Sequence, residues 1–105
     1  MVNVLIIFEK QIFEKKEIIN ISRETNILKV QVTGNGGQIV IKGSLTGLEE
    51  KDFVTLTGIS DTGLKPVDVI TDGNGMYTYD VSGMCKIRVE RSADATINLV
   101  GVGDN

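Results

Sequence analysis

Several groupings of side chains have the composition of reactive or binding sites. Glu49, Glu50 and Asp52 form the densest acidic cluster. Paired carboxylates cleave glycosidic bonds when they face each other across a cleft at roughly 5 to 9 Å. Neighbours on one loop do not face each other, so these three read as solvated charges that blunt an adjacent strand edge. Asp72-Gly73-Asn74-Gly75, with Asp68 upstream, offers the oxygen ligands of a calcium loop. Such a loop needs several oxygens converging at about 2.5 Å. Met76 breaks the pattern and no Glu closes it, so the segment reads as an Asp/Asn-Gly hairpin, with no metal. Gly34-Asn35-Gly36-Gly37 resembles a phosphate cradle in composition. A cradle needs a following helix and a Lys-Ser/Thr pair, and neither follows here.

Tyr77 and Tyr79 sit two residues apart and share one face of a strand. Aromatics so placed can stack on sugar rings, which makes the pair a candidate glycan contact. The competing reading packs both rings in the core with the hydroxyls at the rim. Aromatic residues are 5% of the chain and Trp is absent, so the core reading is preferred. Cys85 is the only cysteine and there is no His to deprotonate it, so it reads as a small hydrophobe on a strand.

These counts exclude much chemistry. With no His and one Cys, the chain holds no Ser-His-Asp or Cys-His triad and no Cys/His metal cluster. No cofactor and no catalytic residue are expected. The net charge of −3 and only three Arg (Arg23, Arg88, Arg91) leave no basic face for nucleic acid. The apolar run Val4 to Phe8 stops at Glu9 and Lys10. A membrane helix needs about 20 apolar residues, and a signal peptide needs a basic lead. Neither membrane anchorage nor a cleaved signal is expected, and the lone thiol fits folding in a reducing cytoplasm.

The elements that would position these residues follow from side-chain branching. Ile, Val and Thr number 13, 12 and 9, against 2 Ala. Branching at Cβ restricts side chains in helices and suits pleated sheets. Alternation predicts strands over Val2–Phe8, Glu17–Ser22, Ile27–Thr33, Gln38–Gly43, Phe53–Gly58, Val67–Thr71, Met76–Val81, Cys85–Arg91 and Thr96–Val102. Leu28, Val30 and Val32 face inward, as do Ile39, Ile41, Ile87 and Val89; Lys86, Arg88 and Glu90 face outward. Glycine clusters at 34–37 and 72–75 predict hairpins. Nothing supplies parallel crossovers. The expectation is a single all-β domain over residues 1–105, an antiparallel β-sandwich of jelly-roll or immunoglobulin-like type with eight or nine short strands.

One strand breaks the alternation. Leu5, Ile6, Ile7 and Phe8 are consecutive, so both faces are apolar there. Either the chain itself buries both faces or a second subunit covers one, and in so small a domain the subunit is the expectation. Val4, Ile6, Phe8, Ile12 and Phe13 are the candidate interface residues. Residues 1–16 form the expected attachment or oligomerisation region, with Phe13 to Ile21 contributing.

From about Glu17 to Val102 the order of landmarks resembles a β-sandwich module of tailed-bacteriophage and prophage virion structural proteins. The landmarks are Ile19 to Ser22, Val30-Gln31-Val32-Thr33-Gly34, Lys42-Gly43-Ser44, Phe53-Val54-Thr55-Leu56, Gly75-Met76-Tyr77, Asp80-Val81-Ser82-Gly83, Ile87-Arg88-Val89 and Thr96-Ile97-Asn98-Leu99. The chain departs from the pattern where Leu48-Glu49-Glu50-Lys51-Asp52 replaces an aspartate-glycine-x-x-tryptophan loop. The resemblance implies a non-enzymatic part of a virion: a capsid decoration, fibre or tail-associated module that contacts other virion proteins. It implies a homo-oligomer, trimers being common in fibres, and no catalytic residues. A carbohydrate-binding or host-receptor-binding module, using Tyr77 and Tyr79, is the alternative.

Overall fold

The computed structural model describes residues 4–34, 37–71 and 73–104, with the side chains of Val4 and Asp104 outside that description. Among the described residues ten strands form two antiparallel sheets: β1 (Val4–Ile12), β2 (Lys16–Asn20), β3 (Ile27–Thr33), β4 (Ile39–Ser44), β5 (Val54–Thr55), β6 (Gly58–Ser60), β7 (Pro66–Val67), β8 (Gly75–Asp80), β9 (Lys86–Arg91) and β10 (Thr96–Asp104). The large sheet runs β1-β10-β3-β8-β6-β7 and the small sheet β2-β9-β4-β5. One 3-10 turn, Glu50–Asp52, interrupts the loop before β5. The architecture is an all-β sandwich.

Register explains the core. Leu99, Val30 and Tyr77 lie in one row across β10, β3 and β8, and Gly101, Leu28 and Tyr79 in the next. Ile41 stands beside Val89 and Ile39 beside Arg91 in the facing sheet. The alternating inward residues of both sheets meet in a single cluster that includes Ile12, Ile19, Leu28, Val30, Ile41, Ile87, Ile97 and Leu99. Period-2 alternation buries one face of the longer strands, such as β3, β4 and β8, as the aliphatic spacing required.

Three aromatic rings lie over strand glycines. A Cβ at Gly101 would sit 2.1 Å from the Phe8 ring, one at Gly58 would sit 2.6 Å from the Tyr79 ring, and one at Gly75 would sit 2.8 Å from the Tyr77 hydroxyl. Glycine leaves the space that a large ring fills, which recovers the packing a bare backbone would lose. The two tyrosines are therefore core residues, 4% and 1% exposed, and form no sugar-stacking face. Burial pushes the Tyr79 hydroxyl well above its usual pKa.

The glycine clusters turn the chain differently from expectation. The 34–37 segment carries the chain from β3 in the large sheet to β4 in the small one, so it is a crossing and not a hairpin. Positive φ at Gly34 (89°) and Gly37 (67°) bends the backbone into that crossing, while Asn35 and Gly36 lie outside the described residues. The 72–75 segment likewise leads to β8, which pairs with β3 and β6 and not with the strand before it. Ile70 instead bridges Ile39 of the small sheet. The strand expected over Phe53–Gly58 divides into β5 and β6, which belong to opposite sheets. The Ser60-Asp61-Thr62-Gly63 turn does close a hairpin, β6 with β7.

The Phe8–Gly101 contact generates a test. Gly101→Ala should destabilise the protein by about 1–3 kcal/mol through overpacking. In a Phe8→Ala background the same substitution should cost almost nothing, because the ring it meets is gone. Urea unfolding of the four variants measures this, and additive costs would contradict the contact.

Candidate functional site

The feature with the clearest potential for recognition is the flank formed by β1 and β2. β1 is an end strand of the large sheet and β2 an end strand of the small one. β1 pairs with β10 from Val4↔Asp104 to Ile12↔Ile97, with a register break between Ile6 and Phe8. This bulge explains the unbroken apolar run. Phe8 lies over Gly101, and a Cβ at Gly103 would stand 3.3 Å from Ile7, so consecutive residues Ile7 and Phe8 cover one face of β10. Ile6 is left exposed, at 58%, with Leu5 also exposed.

The sequence-derived interface residues divide accordingly. Ile6 is exposed and Phe13 is 70% exposed, while Phe8 is half-buried against the core. Ile12 is 1% exposed and belongs to the core, because its partner Ile97 points inward. The side chain of Val4 lies outside the described residues. Within Phe13 to Ile21, Ile18 faces outward and is exposed, whereas Ile19 and Ile21 are buried. Residues 4–12 are an integral strand along β10.

The upper half of this flank is closed by charges. Lys10 lies opposite inward-facing Leu99, and its Nζ reaches Glu17 Oε2 at 2.9 Å, joining the two sheets. The Glu17 carboxylate also accepts the N–H groups of Phe13 and Glu14, each at 3.3 Å. The hydrogen bond from Lys10 holds the Glu17 carboxyl below the usual range. Arg91 donates to the carbonyls of Phe13 at 2.5 Å and Ala95 at 2.6 Å. The β1–β2 turn is thus fastened from both sides, and exposed Phe13 projects from a fixed backbone. The expected strand stops at Phe8, so residue spacing does not place Lys10 opposite Leu99, and its pairing with Glu17 depends on which strands end the sheets.

The outer face of the small sheet is organised around Arg88. Expected outside, it points outward and is nevertheless buried, at 4%. Its guanidinium lies 5.0 Å from the Phe53 ring centroid. Its Nη1 is 3.2 Å from Glu50 Oε1 and its Nε 2.7 Å from Glu90 Oε2. The Nε–Glu90 pair lacks hydrogen-bond alignment, so it is an ion pair held by proximity. Lys42 and Lys16 extend the network to Glu90 and Glu50. Burial raises the Glu90 pKa, but Lys42 and then Arg88 outweigh it and the net shift is downward. The acidic loop therefore lies over the sheet as its cover. Asp52 accepts from Thr46 Oγ1 and the Glu49 N–H, and Glu50 reaches Arg88.

The remaining chemical candidates have structural partners. Asn74 Oδ1 accepts the Gly34 N–H at 3.1 Å, and Thr57 Oγ1 donates to Asp68. Asp72 lies outside the described residues. Cys85 is half-buried just before β9, with Sγ 3.3 Å from the Leu45 carbonyl. No described helix is long and apolar enough to cross a membrane.

Two charge-based outcomes follow. Glu17, Asp61, Asp80 and Glu90 all have carboxyls held below their ordinary values. A depressed folded-state pKa adds stability above the unfolded value, near pH 4, and that stability fades as pH falls through the lower folded value. Thermal midpoints should drop from about pH 4 downward, and Glu17→Gln should make that decline shallower; an unchanged slope would contradict the Lys10–Glu17 closure. Arg88→Met should cost about 1–3 kcal/mol, because Glu90 keeps Lys42 but loses its buried partner. Urea denaturation reads this, and a neutral result would contradict the clamp.

No protein-family model and no curated protein sequence matches the chain. Solved structures do. The SPBc2 prophage-derived protein YomS aligns with a TM-score of 0.69 at 14% identity, over 98% of this chain and 94% of that one. The PBSX exported protein XepA aligns with a TM-score of 0.70 at 15% identity, over 99% of this chain but 38% of that one. At these identities the likeness is one of fold: the chain shares its β-sandwich with two proteins of prophage origin.

Proposed function

We propose that the protein is a non-enzymatic structural component of a phage or prophage particle that acts through protein–protein contacts. The observation that carries this reading is the end-to-end fold match with a prophage-derived protein, which covers nearly all of both chains. The flank geometry supports it. A part that adheres needs a rigid, unreactive body and exposed apolar side chains; Leu5 and Ile6 supply them on an end strand, and Phe13 in the turn that follows it. The polar groups that sequence pattern offered to chemistry are committed to holding loops and crossings. Other virion proteins and further copies of this chain are its partners, and the particle is its location.

Mass spectrometry of particles purified from the source strain tests the assignment. The chain should co-purify with them at a constant copy number per particle. A chain abundant in the lysate and missing from the particles would overturn the proposal.

A further inference from the structure

A hollow of about 450 Å³ opens at the β7 end of the large sheet, away from β1. Clefts of roughly 300–1,000 Å³ hold small molecules. One wall is the β6–β7 hairpin with Thr62, Lys65 and Val67, and the other is Val69 and Thr71 with Asn74. Tyr77 and Ile70 close its base and are themselves buried. Both walls are fixed. The Ser60 N–H donates to the Lys65 carbonyl at 2.8 Å, and the Asp61 N–H to the Met76 carbonyl at 2.9 Å. Ile70 and Ile39 exchange two backbone hydrogen bonds, at 2.8 and 2.9 Å, and Asn74 Oδ1 accepts the Gly34 N–H. A cleft built before its ligand arrives loses little freedom on binding.

The lining is rich in donors and holds no carboxylate among the described residues. Lys65 brings an ammonium without an ion pair among those residues, whereas Lys10, Lys16, Lys29, Lys42 and Lys51 each face a carboxylate. Asp61, in the same hairpin, is taken by Lys29 and Thr78, and Asp68 by Thr57. With its oxygen on Gly34, Asn74 keeps two amide N–H donors. The turn that carries Lys65 to the rim is strained. Gly63 has φ 79°, and Leu64, at 51°, is the one non-glycine residue with positive φ among the described residues. A bulky side chain is an outlier in that conformation, and such outliers gather at ligand sites.

We propose that this hollow binds an acidic sugar, its carboxylate on Lys65, its hydroxyls on Thr62, Thr71 and Asn74, and its C–H face on Val67 and Val69. A sugar ring has both an apolar face and a hydroxyl rim, which matches the two kinds of lining. One cation answers one negative charge; a polyphosphate would need more. Tyr77 serves as a buried wall, so the site needs no stacking ring. The inference goes beyond the particle reading and does not depend on it.

Nuclear magnetic resonance titration of the nitrogen-15-labelled full chain tests this, with D-glucuronate, D-glucose and acetate as probes. Glucuronate should give saturable shifts centred on residues 60–77. Glucose lacks the carboxylate and acetate lacks the ring, so each should bind about tenfold or more weakly. Lys65→Met should weaken glucuronate binding about tenfold and leave glucose unchanged, while Lys65→Arg retains it. Val69→Phe should fill the hollow and abolish binding. Lys65 and Val69 are both exposed, so thermal midpoints should stay close to wild type. Absence of saturable shifts overturns the inference, as do shifts centred elsewhere. Equal binding of glucose and glucuronate, or full affinity in Lys65→Met, overturns it too. None of these results touches the particle assignment, which co-purification with particles reads separately.

Discussion

The packing of Phe8 over Gly101 is the contact on which the rest of the molecule turns. The ring occupies the space a Cβ would need, so β10 must carry glycine where it passes β1. Seating that ring together with Ile7 on the same face requires a bulge, and the bulge leaves Ile6 outside. A core requirement thereby creates an apolar surface on an end strand. Tyr79 over Gly58 and Tyr77 over Gly75 repeat the device farther along the large sheet. Both tyrosines are used inside and Phe53 lies beside Arg88, which leaves Phe13 as the exposed ring.

The charged residues complete the same logic. Edge strands invite pairing, and inward-pointing charges are one way to limit it. Lys10 and Glu17 close the upper part of the β1–β2 flank, Pro66 opens β7 at the far edge, and the Arg88 network fastens a loop over the small sheet. The lower part of β1 has no such guard among the described residues. The unguarded portion coincides with the apolar strip.

Much of this was legible in the sequence. The alternation of Leu28, Val30 and Val32 gave β3 with its inward face, and Ile39 with Ile41 gave β4. The core position of Tyr77 and Tyr79 followed from their spacing and the scarcity of aromatics. What escaped was non-local. Glycine at 34 and 37 signals a bend but not whether the strands it joins will pair or part. Arg88 alternates outward as pattern predicts, yet a loop 35 to 38 residues upstream buries it. Ile12 fell among the candidate interface residues because the inward orientation of its partner Ile97 is visible only in the paired sheet. Consecutive apolar residues at Ile7 and Phe8 suggested two buried faces; a bulge serves the same pattern with one.

The central claim is that the bulge forced by Phe8 and Gly101 leaves the exposed apolar residues of β1 as the proposed contact surface of the sandwich. Hydrogen–deuterium exchange, compared between assembled and diluted protein, addresses it directly. Assembly should slow exchange at residues 5–8 and leave the Arg88 face unchanged. Protection confined to other surfaces, or no concentration dependence at residues 5–8, would contradict the account.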